Sequence, residues 1–212
     1  MIGPKERIRN ERTLLVYESK LYELFRYCPK CGGHIDQSLI KEVPNTGSQL
    51  HLKVTCSNHC DVDWKSQPSV GSLKGLGNLF LATSISFSGL PFAKFERFAW
   101  LVNLKFISDS VYYQLKRDFI MPVVRQKWNS ERKRMVELLK SRELTVLCGD
   151  GRCDSPGHSA KYCTYTFIET ETGRVVDTIV VPVTDVKNSN AMEKEGFTKL
   201  LKALKKMASK LT

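Results

Sequence analysis

The chain has 212 residues, 42% of them hydrophobic and 26% charged, and 33 Lys and Arg against 22 Asp and Glu leave a net charge of +11. That profile excludes a disordered chain, and the length suffices for one large or two small cores. No apolar run reaches the ~18–20 residues needed to span a bilayer, and the opening MIGPKERIRNERTLL lacks the apolar stretch of a secretory leader, so the sequence reads as a soluble intracellular protein with no membrane segment.

The positive excess points to a polyanionic partner, nucleic acid first and an acidic lipid surface second. In chain order, apolar residues at three- and four-residue spacing (Leu14, Tyr17, Leu21, Leu24, Phe25) predict an amphipathic helix from Glu11 to Tyr27. It runs into CPKCGG, then into two strands expected around Ile35–Glu42 and Gln49–Thr55, joined by the turn-rich PNTGS. CSNHC leads into VDW and the loop SQPSVGSLKGLGN, which lacks the GK[ST] end of a phosphate-binding loop. After Asn78 the character turns helical. LFLATSISFSG ends at Gly89, and PFAKFERFAWLVN begins at Pro91 and runs to about Asn103. The linker LKFIS hands over to a long helical stretch that Pro122 should kink or restart. From Glu143 the pattern becomes strand 144–149, strand 162–169, the turn ETGR, strand 174–183 and a basic helix 190–209. The expected fold is α+β in three parts: a helix and zinc-knuckle hairpin at 1–78, a basic helical region at 79–142, and a β-β-β-α segment at 143–212.

Seven cysteines without a secretory leader argue against a disulfide framework and for metal ligands plus reduced thiols. Cys28 and Cys31 form a CxxC followed by two glycines, and after 24 intervening residues comes Cys56-Ser-Asn-His59-Cys60. Two knuckles across a hairpin offer four soft ligands, the number that closes a structural zinc site. The expected set is Cys28, Cys31, Cys56 and Cys60, with His59 as the alternative fourth ligand. A thioredoxin-like redox pair is disfavoured because no βαβ pattern surrounds the CxxC. His34 and His51 read as surface or hairpin residues.

The stretch FSGLPFAKFERFAWLVNLKFISDSVYYQLKRDF has a helix-turn-helix layout, with Ser108 or Asp109 capping a second helix that carries Tyr112, Tyr113, Lys116 and Arg117. Residues 91–142 hold 12 Lys and Arg against 5 Asp and Glu. The expected DNA contacts are Lys105, Lys116, Arg117, Arg125, Lys127, Arg132, Lys133 and Arg134, against the plainer reading of a helical bundle with a basic face.

CGDGRCDSPGHSAKYC, at 148–163, places two aspartates, a histidine and three cysteines at the expected end of a strand. It is either an ornate turn or a strand exit that presents a carboxylate. The order β-β-β-α matches the opening half of a ribonuclease-H-like fold, in which acids from several elements hold two divalent metals. DGRCDSPGHSAKYCTYTFIETETGRVVD and NSNAMEKEGF, with LVYESKLYELF, CPKC, WKSQP and GLGNLFLATSISFSG upstream, resemble the DDE-type transposase-derived proteins of animal genomes. The resemblance covers about residues 12–208. It implies a zinc-binding segment and a helical DNA-binding segment ahead of a ribonuclease-H-like core, and hence a nuclear location. Asp150 then matches the first catalytic carboxylate, with Asp154 as the alternative ligand for Mg²⁺ or Mn²⁺, and His158 either touches a phosphate or satisfies the turn. Two positions depart from the family pattern: Cys60 stands where a histidine is expected and Cys163 where a glycine is expected. The chain stops at Thr212, short of where the second and third acids of the family lie.

Three functions follow as expectations. The first is a transposon-derived, zinc-containing DNA-binding protein with an incomplete catalytic core, which cannot cut DNA alone and pairs with itself or another chain through an exposed sheet edge. The second is an active transposase completed by further chain or by a partner. The third is a zinc-dependent interaction module without nucleic acid.

Overall fold

The computed structural model describes residues 12–45, 47–69, 75–156 and 159–210. Most of the glycine loop 70–78 and His158 lie outside the described residues. The chain divides into two units, Met1–Ile120 and Met121–Thr212, each with its own three-stranded antiparallel sheet.

In the first unit, helix α1 covers only Glu18–Tyr22, followed by a 3-10 turn over Glu23–Phe25. The long helix expected from Glu11 does not form: residues 12–17 are irregular, and Leu15 is 81% exposed. A short helix is marginal without a surface to pack against, and these apolar residues have none. Strands β1 (Lys41–Glu42), β2 (His51–Thr55) and β3 (Asp61–Lys65) pair in that order. The expected strand from Ile35 shrinks to two residues because Asp36 caps a 3-10 turn over Gln37–Leu39, accepting the Ser38 N–H at 2.9 Å. β3 was hidden by its charges: Val62 and Trp64 face the core while Asp61, Asp63 and Lys65 face out.

Helices α2 (Leu76–Ser88), α3 (Phe92–Leu101) and α4 (Asp109–Leu115) complete this unit. Gly89 stops α2 with φ +75°, the left-handed conformation a helix end asks of glycine. The Ser108 hydroxyl caps α4 by accepting the Val111 N–H at 3.4 Å. The Tyr112 ring is buried and stacks on Phe92 at 4.6 Å. A buried amide network ties the sheet to α2: Asn78 accepts from the backbone and hydroxyl of Ser48, and Gln67 donates to the same hydroxyl.

A π-helical turn over Lys116–Ile120 then precedes helix α5, Met121–Lys140. The expected break at Pro122 takes this form. Proline has no N–H and its ring crowds the carbonyl four residues back, and a wider turn relieves both while the backbone stays helical.

In the second unit β4 (Leu147–Cys153), β5 (Tyr162–Glu169) and β6 (Arg174–Pro182) form a meander, and α6 (Met192–Lys210) packs on one face with α5. α5, read from sequence as part of the helical middle, contributes Met135, Leu138 and Leu139 to the core with Tyr165, Phe167, Val176 and Leu200. Gly196 allows α6 to lie on β5, since a Cβ there would sit 2.6 Å from that of Tyr165.

Glu169, 1% exposed at the end of β5, accepts from the Thr172 hydroxyl at 2.6 Å and from the backbone of Glu171 and Thr172, and pairs with Arg142 at 3.0 Å. The Thr172 hydroxyl and the Glu171 N–H lead in pulling its carboxyl down to about 2, from an ordinary 4.5. A depressed carboxyl adds stability that is whole above the unfolded value and vanishes as pH falls through the folded one. The melting temperature is therefore expected to drop between pH 4.5 and 2, and to drop less in Glu169→Gln; equal slopes for both proteins in a pH-resolved thermal melt would remove Glu169 from this account.

Candidate metal centre

The N-terminal knuckle begins where Tyr27 and His34 form a β-bridge that folds CPKCGG back on itself. The Cys28 N–H donates to the Gly33 carbonyl at 2.8 Å, and the Gly32 N–H to the Cys28 carbonyl at 2.8 Å. Gly32 turns the chain at φ +70°, so a side chain there would be strained. Gly33 is needed for another reason, because a Cβ would come within 2.9 Å of the Asn58 amide. The second knuckle closes when the Cys56 N–H donates to the Cys60 carbonyl at 3.2 Å. Ser57 N–H donates to the His34 carbonyl at 2.9 Å and joins the two knuckles. Beneath them lie Phe25, Ile35, Leu52, Val54 and Val62, with Trp64 edge-on to Phe25 at 5.2 Å.

This scaffold brings Cys28, Cys31, Cys56 and Cys60 together, with all four sulfur atoms within 4.8 Å of one another. Cys31 Sγ and Cys56 Sγ are 3.6 Å apart, too far for a disulfide of about 2.05 Å. A tetrahedron of sulfurs at about 2.3 Å from a central zinc has edges of about 3.8 Å, so the spacing suits four thiolates around one ion. Donors face the sulfurs. The N–H groups of Gly33 and Cys60 reach Cys31 Sγ and Cys56 Sγ at 3.4 Å each, and the Asn58 amide reaches Cys31 Sγ at 3.5 Å. Asn58 had no signal in the sequence beyond its place between two ligands.

Cys31 and Cys60 are shifted in opposite directions. The Gly33 N–H, then the Cys56 thiol, holds Cys31 below the ordinary thiol value, whereas hydrogen bonding to Cys31 and Cys56 pushes Cys60 up to about 12. Four negative sulfurs this close would repel one another, and a divalent cation among them removes that conflict. His59, the alternative ligand, is exposed at φ +56° and lies outside the four-sulfur group; its N–H donates to the Cys56 carbonyl at 2.9 Å. His34 and His51 serve the hairpin: His34 in the bridge to Tyr27, His51 bonded to Asp63 at 2.8 Å.

The basic residues divide between the units. Lys105 pairs with Glu42, Arg117 with its neighbour Asp118 at 2.7 Å, and Lys116 stands 5.8 Å from the centre of the Tyr112 ring. Tyr112, expected on a recognition surface, is in the core because its ring completes the stack on Phe92. On α5, Lys127 and Arg134 both pair with Glu131, and Arg132 turns inward to Asp177. Arg125 and Lys133 are exposed two helical turns apart, on the same side of α5.

CGDGRC lies inside β4, which runs on to Cys153, a correction to the expected strand exit at Gly149. The strand continues through its glycines because aromatic rings across the ladder occupy their side-chain space: a Cβ on Gly149 would meet the Tyr165 hydroxyl at 2.6 Å and Phe167 at 2.9 Å. A Cβ on Gly151 would meet Glu193 of α6 at 2.8 Å. Residues alternate faces along a strand, so Asp150 lies on the face away from α6, opposite Thr166, where it is exposed and accepts the Gly151 N–H at 2.8 Å. Asp154 makes the turn: its carboxylate accepts from the backbone of Lys161 at 3.0 Å and Tyr162 at 3.3 Å. Among the described residues, the four cysteines are the cluster with the makings of a metal site, and Asp150 and Asp154 belong to none.

No helix among the described residues is long and apolar enough to cross a membrane. Comparison with protein-family models, with curated proteins and with solved structures finds no match to this chain.

Proposed function

We propose that this is a transposon-derived DNA-binding protein whose first unit is built on a structural zinc held by Cys28, Cys31, Cys56 and Cys60. The observation that carries the zinc is the group of four sulfurs within 4.8 Å. Soft thiolates in a closed tetrahedral set favour zinc among the common divalent ions. DNA as the partner rests on the net +11 and on the basic side of α5. The transposase ancestry rests on the sequence resemblance, and the order β4-β5-β6-α6 is consistent with the start of a ribonuclease-H-like core. On this reading Asp150 is an inherited acid, the protein works on DNA in the nucleus, and β4, at the edge of its sheet, is where a further strand from a second copy would pair.

Salt tests the DNA claim. Each phosphate contact gives the plot of log affinity against log salt a slope of about −0.9 on duplex DNA. Replacing Arg125 and Lys133 by Ala is expected to weaken duplex binding and to flatten that slope by about 1.8, two contacts' worth. An unchanged slope in a fluorescence-anisotropy titration at several salt concentrations places the phosphate contacts off α5. Salt-independent binding, or none, rejects the DNA-binding reading itself.

A further inference from the structure

We propose that Cys153 and Cys163 are a thiol pair that closes reversibly into a disulfide across strands β4 and β5. The two residues are direct partners in the ladder. The next pair along, Asp154 and Tyr162, is hydrogen-bonded, with the Asp154 N–H donating to the Tyr162 carbonyl at 3.0 Å. Hydrogen-bonded and non-hydrogen-bonded pairs alternate in an antiparallel ladder, so Cys153 and Cys163 form a non-hydrogen-bonded pair. In such a pair the Cα atoms are about 4.5 Å apart and the side chains lean together on one face, within the range that a disulfide spans.

Their exposure gives them different tasks. Cys153 is exposed, whereas Cys163 is 0% exposed, packed with Ala160, Val181 and Met192 beneath α6. Burial, then the Cys153 thiol, keeps Cys163 protonated, which leaves Cys153 as the sulfur that meets an oxidant first. The oxidant class is a low-molecular-weight disulfide. The Cys153 thiolate attacks one of its sulfurs, forms a mixed disulfide and expels a thiolate, which takes up a proton. Cys163 then gives its proton to solvent, and its sulfur attacks Cys153 Sγ and expels the second thiolate. In sum, two protein thiols become one disulfide and the small disulfide becomes two thiols, a transfer of two electrons. Cys148, exposed on the same strand, lies five residues from Cys153 and therefore on the opposite face, where it donates to the Ile168 carbonyl at 3.6 Å; it is the internal control. The four clustered cysteines belong to the other unit.

The test uses the whole zinc-loaded chain incubated with oxidised glutathione, alkylated after unfolding, digested with trypsin and read by mass spectrometry. Cleavage after Arg152, Lys161 and Arg174 separates Cys153 on residues 153–161 from Cys163 on residues 162–174. The expected product joins these two peptides, two hydrogens lighter than their sum, with Cys148 alkylated and the link lost on reduction. Cys153→Ser, a change at an exposed site, is expected to leave Cys163 fully alkylated with no link anywhere in the second unit. A wild-type chain in which both thiols are alkylated, one that stops at glutathione on Cys153, or a link that uses Cys148 instead, would each overturn the proposal.

Discussion

Cys28→Ser is expected to leave the protein without zinc and with its first unit unfolded, while the second unit keeps its sheet. Structural zinc contributes about 10–16 kcal/mol to the folding of small zinc-finger peptides, as much as the whole stability of an ordinary domain. The sheet β1-β2-β3 is small, β1 being two residues long, and its core ends at Cys28 and Cys56 themselves. Without the ion, four thiols crowd one another at the end of that core. Metal analysis of the purified protein should find one zinc per wild-type chain and none in the variant. Trp64 fluorescence should shift to the red as its contact with Phe25 is lost, and a strong chelator should do the same to the wild type. His59→Ala is the matched control and is expected to keep its zinc. A Cys28→Ser protein that retains the metal, or a His59→Ala protein that loses it, reassigns the ligands.

Asp177→Ala is expected to cost about 3 kcal/mol of stability, toward the lower end of the range for breaking a buried ion pair from one side. The Asp177 side chain is 3% exposed on β6 and meets the Arg132 guanidinium, which is 26% exposed. Its other oxygen accepts the Thr178 N–H at 2.9 Å. Taking the carboxylate away strands a guanidinium against the sheet, next to the cluster of Met135, Phe167 and Val176. The cost stays at the lower end because Arg132 retains some contact with water. Urea denaturation checks this, and the double variant Asp177→Ala with Arg132→Met should recover part of the loss by replacing the stranded charge with an apolar side chain. A loss under about 1 kcal/mol would mean that the pair behaves like a surface contact. The same pair turns Arg132, an expected DNA contact, toward the sheet. A basic residue on an amphipathic helix looks solvent-facing until the strand beneath it supplies a buried acid.

Local chemistry was legible and distant partners were not. CPKCGG and CSNHC announce their turns and their ligands in sequence, because a knuckle is made by residues within five positions of one another. The helix ends at Gly89 and Ser108 were likewise readable, since a left-handed stop and a hydroxyl cap act within one turn. The alternation in β5 and β6 marked them as strands, with the turn at ETGR between them. The helix from Glu11 failed for the opposite reason. Its apolar spacing is helical, but spacing says nothing about whether a surface exists to cover it.

The same division decides the second unit. By itself the sequence determined that 148–163 holds carboxylates and thiols at unusual density, that four cysteines are spaced to take one ion, and that the chain carries +11. Only the tertiary structure decided what those residues face. CGDG reads as a strand exit, yet Gly149 and Gly151 lie mid-strand because Tyr165, Phe167 and Glu193 fill the space where side chains would be. That places Asp150 on the open face of the sheet and pairs Cys153 with Cys163. The physical reason is the period of two along a strand: one residue's difference in where β4 begins or ends in the ladder leaves every identity unchanged, yet the register alone decides which side chains meet.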